Sequence, residues 1–335
     1  MSQSKLEKLN AEIVLEDNEL IKANPRQVPV GNNNPLIQSV SFEFGQADFK
    51  TAYVKLTDAN ADRYSPPESV VNKLSANGMM KLDMCGFEMF NDPFGFKFTD
   101  DKTGDAILTT ENSAFIMMDK YMQLDMTLPS RRIFGLGERT KSFLVGEGTW
   151  TMWANGQQTP TDNGLGGNQT YGVHPFMLVQ TATPGEYFGV YFRNTNAMSP
   201  VIQHTGESQS TFSYITTGGQ IEIYLMFKGG PKDIIKQYQN IIGKPVLPPF
   251  WSLGWHAAAY AYTTQAMVQE NIDGYATAGI PLEGIWLDIP YLDGYSDFSV
   301  NATAFPTVKD MTDTIHANGQ RMIVIVDAGI SSDNV

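Results

Sequence analysis

From about residue 40 to about residue 227, apolar and polar positions alternate in short runs broken by Gly, Pro, Asn and Asp. Phe94-Gly-Phe-Lys-Phe98, Tyr187-Phe-Gly-Val-Tyr-Phe192 and Gln220-Ile-Glu-Ile-Tyr-Leu225 show the pattern most clearly. Successive side chains on a strand point to opposite faces, so each run predicts a strand with one buried face. Aromatic and β-branched strands at this spacing, with turn residues between them, predict an antiparallel sandwich or barrel. Residues 1–35 contain the stretch ANPRQVPVGNNNP, which suits a linker or an extended edge, and poor order is expected there.

The pattern changes around Gly229-Gly230-Pro231. Between Lys232 and Ile242, residues Ile234, Ile235, Tyr238, Ile241 and Ile242 recur at helical spacing and mark one buried face. Lys244-Pro-Val-Leu-Pro-Pro249 then stiffens the chain, which sets a domain boundary near Gly243. The remaining chain reads as β-α-β-α-β, with strands at about 251–255, 284–288 and 321–326 and helices at about 264–277 and 307–317. Thr264 is a candidate N-cap, Met267, Ile272 and Tyr275 share a helical face, and Gly279 and Gly319 are stop signals. Met322-Ile-Val-Ile-Val326 is apolar on both faces, as a parallel strand between helices requires. The expected organisation is therefore an N-terminal segment over 1–35, a β-sandwich over 36–243 and an α/β domain over 244–335.

In parallel α/β sheets the reactive groups project from the carboxyl ends of the strands. His256, Asp288 and Asp327 are predicted at these ends, three ionisable groups at equivalent positions on neighbouring strands. A single Asp after a strand serves equally well as a helix cap or a partner for a loop amide; three at matching positions favour a site. Trp251, Trp255, Trp286, Tyr291 and Tyr295 lie close by in sequence. Flat rings pack on the apolar C–H faces of sugars, and carboxylates accept paired hydrogen bonds from vicinal hydroxyls.

Composition narrows the alternatives. The chain has 23 Lys+Arg against 36 Asp+Glu, a net charge of −13, so neither nucleic acid nor an anionic membrane is an expected partner. With 42% hydrophobic and 18% charged residues it has the makings of a packed globular protein. One cysteine and four histidines, with no cluster at ligand spacing, predict neither a metal site nor a cofactor. The start, MSQSKLEKLNAEIVLEDNEL, lacks the basic and apolar segments of a signal peptide, and the compartment stays open. The Gly-rich segments lack the context of a phosphate-binding loop, and no Gly-x-Ser-x-Gly elbow occurs.

From about Met84 onward the sequence resembles the family 31 glycoside hydrolases, the α-glucosidase group. The resemblance rests on Phe134-Gly-Leu-Gly-Glu138 with Thr140, Tyr171–Phe176, Asn194–Met198, Leu247–His256, Ile280–Ile289, Tyr291–Phe298, Phe305-Pro306, His316–Gly319 and Ile325–Ile330, in family order. It implies a galactose-mutarotase-like β-sandwich followed by a (β/α)8 TIM barrel, of which this chain would hold about three β/α units. It also implies retaining hydrolysis of terminal α-linked glucosides by an Asp nucleophile and an Asp acid about 5–5.5 Å apart. By position Asp288 and Asp327 match the family's sugar-binding aspartates, and Trp286 and Ile289 its lining; Asp162 and His256 are further substrate-binding candidates. The family's nucleophile and acid would lie beyond Val335, so no catalytic residue is assigned within the chain, which reads as a fragment or a truncated product. Ala259, Pro290 and Ala328 depart from the family's usual Arg, Asp and Pro, and Gly156 stands where a sandwich loop normally delivers an Asp. The competing expectation is a non-catalytic carbohydrate-binding or partner-binding paralogue on the same scaffold.

Overall fold

A computed structural model describes residues 9–14, 37, 39–48, 50–67, 85–91, 93–154, 169–327, 329–330 and 332. The chain divides into two compact units, Met1–Lys244 and Pro245–Val335.

The first unit is a sandwich of two antiparallel sheets. One sheet runs, from edge to edge, through Leu9–Val14, Ser39–Asp48, Thr51–Asp58, Ile221–Met226, Tyr187–Phe192, Phe176–Gln180, Ile133–Gly135 and Leu144–Val145. The other runs through Gly148–Thr149, Val201–Thr205, Gln209–Thr216, Tyr121–Leu128, Ala106–Thr109, Phe94–Asp100 and Cys85–Asn91, and Phe115–Met118 pairs with Tyr121–Leu128 off this path. The alternation read from the sequence is what packs them: Ala52, Val54 and Leu56 on Thr51–Asp58 are fully buried, as are Phe96 and Phe98 on Phe94–Asp100. Phe192 stacks at 4.3 Å on Tyr214 and at 5.5 Å on Phe212, which joins the two sheets through flat ring contacts. Within residues 1–35, Leu9–Val14 is not loose but adds an edge strand in register with Ser39–Phe44; the rest of that segment lies outside the described residues. The helix Pro231–Ile242 comes next, with Pro at its first turn and Ile234, Gln237, Tyr238 and Ile241 buried, whereas Ile242 faces out.

The second unit begins differently from the sequence expectation. The apolar run at 251–255 is not a strand: Phe250–Leu253 forms a 3-10 turn. Pro249 opens it at φ −55°, and both the amide and the hydroxyl of Ser252 return to the Pro249 carbonyl, at 3.0 and 2.7 Å. The first strand is instead His256–Ala257. It pairs in parallel with Gly284–Leu287, which pairs in parallel with Arg321–Val324. The helices between them are Gln265–Thr277, capped by the Thr264 hydroxyl accepting from the Met267 amide at 3.3 Å, and Val308–Ala317. Both end in a left-handed glycine, Gly279 (φ 67°) and Gly319 (φ 79°), whose amides return to Ala276 and His316. Val268 and Ile272 face the sheet; Met267, expected on that face, is exposed. The core joins these residues to Ile285, Leu287, Met311 and Ile315, all on one side of the sheet.

The chain is thus a β-sandwich followed by a three-stranded parallel α/β sheet, the order the resemblance implies.

Candidate functional site

The site predicted from the sequence falls on the second unit. Leu287 ends the second strand, and Asp288 follows at once. Val324 ends the third, the Ile325 amide continues the ladder by donating to the Leu287 carbonyl at 3.0 Å, and Asp327 comes two residues later. Because Leu287 and Val324 are paired in parallel, the two carboxylates leave the sheet at the same, carboxyl end.

Each is held by a loop. Asp288 is half-buried and caps the short turn Ile289–Tyr291, its Oδ1 accepting from the Ile289 amide at 2.7 Å. This is the capping role that sequence alone leaves open for a single Asp, and it uses one carboxylate oxygen. Ile289 packs partly on the core and supplies that amide. Asp327 is exposed, and its amide donates to Asp297 Oδ1 at 3.0 Å. Asp297, 7% exposed, comes from the loop after Ile289–Tyr291 and ties that loop to the end of the third strand. The Tyr291 hydroxyl makes a second tie, donating to the Ile325 carbonyl at 3.0 Å. Tyr291 is therefore a buried clamp and not a sugar platform. Beyond it, the Tyr260 hydroxyl has a raised pKa, first through its hydrogen bond with Tyr295 and also through the charge of Asp288. Tyr260 and Tyr295 are both exposed.

His256 is placed elsewhere. It opens the first strand where the sequence reading has it ending one, and it pairs with Gly284, the first residue of the second strand. It therefore sits at the amino end of the strands, opposite the carboxylates. The three matching strand ends expected from the sequence reduce to two, Asp288 and Asp327. Trp286, 38% exposed, lies on the sheet face away from the helices, and its indole nitrogen donates to His256 Nδ1 at 3.0 Å. The indole of Trp286 thus reaches the level of His256, at the amino end of the strand, while Asp288, two residues on, follows its carboxyl end. Asp162 and Gly156 lie outside the described residues.

Sequence reasoning singled out neither Asp297 nor Tyr260 as site residues. A loop aspartate carries no periodic signal, although Asp297 stands within the motif Tyr291–Phe298. In the sandwich the family motifs serve the structure. Glu138 Oε2 accepts from the Thr170 hydroxyl at 2.6 Å and the Gly172 amide at 2.7 Å, and these bonds lower its pKa. Buried Asn194 donates to the carbonyls of Gly218 and Gln220 at 2.9 and 3.1 Å. Among the described residues no group of three or more His, Cys, Asp and Glu is placed to hold a metal ion, and no helix is long and apolar enough to cross a membrane.

Residues 68–199 match the glycosyl hydrolase 31 N-terminal galactose mutarotase-like domain, and residues 245–335 match the glycosyl hydrolases family 31 TIM-barrel domain. The chain is 30% identical over 283 residues to lysosomal alpha-glucosidase of Mus musculus, covering 84% of this chain and 28% of the relative. It is 29% identical over 279 residues to intestinal sucrase-isomaltase of Homo sapiens, covering 83% of this chain and 15% of the relative. The chain thus spans less than a third of the length of these two relatives. Among solved structures, the glucosidase II alpha subunit aligns over 91% of this chain and 42% of its own, with a TM-score of 0.72 at 16% identity. The GH31 dextranase of Flavobacterium johnsoniae complexed with glucose aligns over 88% of this chain and 37% of its own, with a TM-score of 0.72 at 22% identity. These structural likenesses bear on the fold. Two successive domains of one family, matched in order along a chain whose sandwich and parallel sheet fit them, establish that this chain belongs to glycosyl hydrolase family 31, with its N-terminal domain and the start of its TIM-barrel domain.

Proposed function

We propose that this chain forms the sugar-holding part of a retaining α-glucosidase, with Asp288 and Asp327 binding hydroxyls of a terminal α-linked glucose and Trp286 lining the same pocket. The observation that carries this reading is the pair of carboxylates leaving two hydrogen-bonded parallel strands at one end, each attached to a loop by a hydrogen bond at its own residue. The Asp288 carboxylate is held directly and Asp327 through its backbone amide; carboxylates so placed can accept from vicinal hydroxyls, and such bonds strengthen as the ring flattens toward an oxocarbenium-like transition state. Relatives named for action on α-glucosides, at about 30% identity, support the substrate class. The α-glucoside or oligosaccharide is the only partner this reading requires.

The nucleophile and the acid are assigned to later strands of the barrel, so the chemistry is not placed on any residue of this chain. The 335-residue chain is therefore expected to bind maltose and to release no nitrophenol from an aryl α-glucoside. Continued through the remaining barrel strands, it is expected to hydrolyse that glucoside with retention at the anomeric carbon. Turnover that co-purifies with the 335-residue chain, or inversion by the longer protein, contradicts the reading.

A further inference from the structure

Trp286 is the large aromatic side chain nearest Asp288 in sequence on the helix-free face of the sheet, and a half-exposed indole in such a place can turn about two side-chain torsions. The structure shows what prevents this. The indole N–H donates to His256 Nδ1 at 3.0 Å, from a residue at the opposite end of the strands. The imidazole is in turn held on three sides. Its ring stacks on Trp251, with centroids 5.7 Å apart and planes 19° from parallel. Its Nε2 lies 3.5 Å from the Trp251 carbonyl. Beneath it is Gly284, where a Cβ atom would stand 2.9 Å from Nδ1 and 3.0 Å from Cε1, closer than a side chain allows. The Arg321 guanidinium lies 6.0 Å from the centre of the Trp251 ring and extends the stack by a cation–π contact.

The direction of the Trp286 bond also fixes the state of the imidazole. Indole nitrogen can only donate, so Nδ1 must present its lone pair, and the ring proton resides on Nε2, facing the Trp251 carbonyl. Both ring nitrogens face protein groups, and the ring sits at the amino end of the strands, opposite Asp288 and Asp327.

We infer that His256 is a positioning residue: by accepting the indole N–H of Trp286 it fixes the rotation of that side chain, proposed above to line the pocket, before sugar arrives. The inference rests on the glucoside-binding reading for what the wall serves. A wall already ordered in the free protein draws no binding energy to order it.

Two substitutions separate the hydrogen bond from the packing. In His256→Asn the amide oxygen stands the same number of bonds from the backbone as Nδ1 and can accept in its place. His256→Phe keeps a stacking ring and removes the acceptor. In the 335-residue chain the Trp286 indole resonance, identified by its loss in Trp286→Phe, reports the bond by proton–nitrogen NMR without any ligand, and the backbone amide spectrum confirms folding. The resonance is expected to stay near its parent position in His256→Asn and to move in His256→Phe. Maltose affinity is expected within about twofold of the parent in the first and about fivefold weaker in the second, the value of one ordinary hydrogen bond. Adding Trp286→Phe to His256→Phe is expected to bring no loss beyond Trp286→Phe alone. An indole resonance unmoved in His256→Phe, or the same loss of affinity in both variants, overturns the inference. If the parent chain binds no maltose, the glucoside reading fails, and the ligand-free resonance still decides whether His256 holds the indole.

Discussion

In the sandwich, Phe192, Phe212 and Tyr214 are sealed between two sheets, and each sheet is the other's cover. In the α/β unit, helices cover one face, where Ile285 and Leu287 are buried, while Trp286 on the other is 38% exposed and Val324 and Val326 are about half-exposed. The run 322–326, apolar on both faces in the sequence, supplies the expected parallel strand over Arg321–Val324. The contrast separates two uses of a sheet. The sandwich packs its side chains on each other and commits its polar groups to internal bonds. The α/β unit carries the proposed site residues Asp288 and Asp327 at the strand ends, where loops hold them. The greater stability is therefore expected in the first unit, and the proposed recognition belongs to the second.

The largest expected effect tests the first half of that statement. Arg193 and Glu222 form a buried pair at 2.9 and 3.1 Å, and Arg193 also donates to the Pro66 carbonyl at 2.7 Å. Arg193→Met leaves the carboxylate buried with the weaker donors Gln220 and Tyr224. A loss of about 3 kcal/mol in urea unfolding is expected, and a loss under about 1 kcal/mol would show those two donors to suffice. Limited proteolysis then compares the units directly: early cleavage is expected within 245–335, and early cleavage inside the sandwich strands would reverse the assignment.

Removing the Asp297 carboxylate comes next. Asp297→Ala takes the acceptor from the Asp327 amide and unties the loop, which is expected to cost about 1–2 kcal/mol in the second unit and to weaken maltose binding, with Arg193-dependent stability unchanged. Equal binding in parent and variant would make the tie unimportant to the site.

Smaller effects concern titration in the sandwich. Burial lowers the His174 pKa, and its Nε2 lies 2.8 Å from the Tyr238 hydroxyl. The unfolded chain takes up the proton first, so the stability contributed by neutral His174 is present above the ordinary histidine value of about 6.5 and is lost as pH falls below it. His174→Gln should flatten the acid side of the stability profile, and an unchanged slope would assign that side to carboxylates alone. Burial pushes the Cys85 thiol up to about 12, with Asp101 adding to the shift. The folded protein is expected to resist iodoacetamide at pH 8 and to react once unfolded; rapid alkylation of the native chain would contradict its burial.

How far the sequence reveals this arrangement depends on whether local pattern or distant contact decides each element. Tyr187–Phe192 follows from alternation and is a strand over those same residues; Thr264 and Gly279 bound their helix because capping is local chemistry. The run Trp251–Trp255 has the composition of a strand, yet the bonds from Ser252 back to Pro249 wind it into a turn, which moves His256 to the other end of the sheet. Asp288 is legible because it follows an apolar run directly. Asp297 is not, since its importance lies in the Asp327 amide, thirty residues away. The tie between His256 and Trp286 likewise needs the parallel pairing that brings the first strand beside the second.

The central claim, that Asp288 and Asp327 hold the sugar, is tested most directly by titrating maltose into the 335-residue chain and its Asp288→Asn and Asp327→Asn variants, with circular dichroism to confirm folding. Each variant is expected to keep its fold and to bind at least tenfold more weakly, as losing a charge-assisted hydrogen bond of about 1.5–3 kcal/mol requires. Parent-like affinity in both folded variants would contradict the claim and leave the two aspartates as loop anchors.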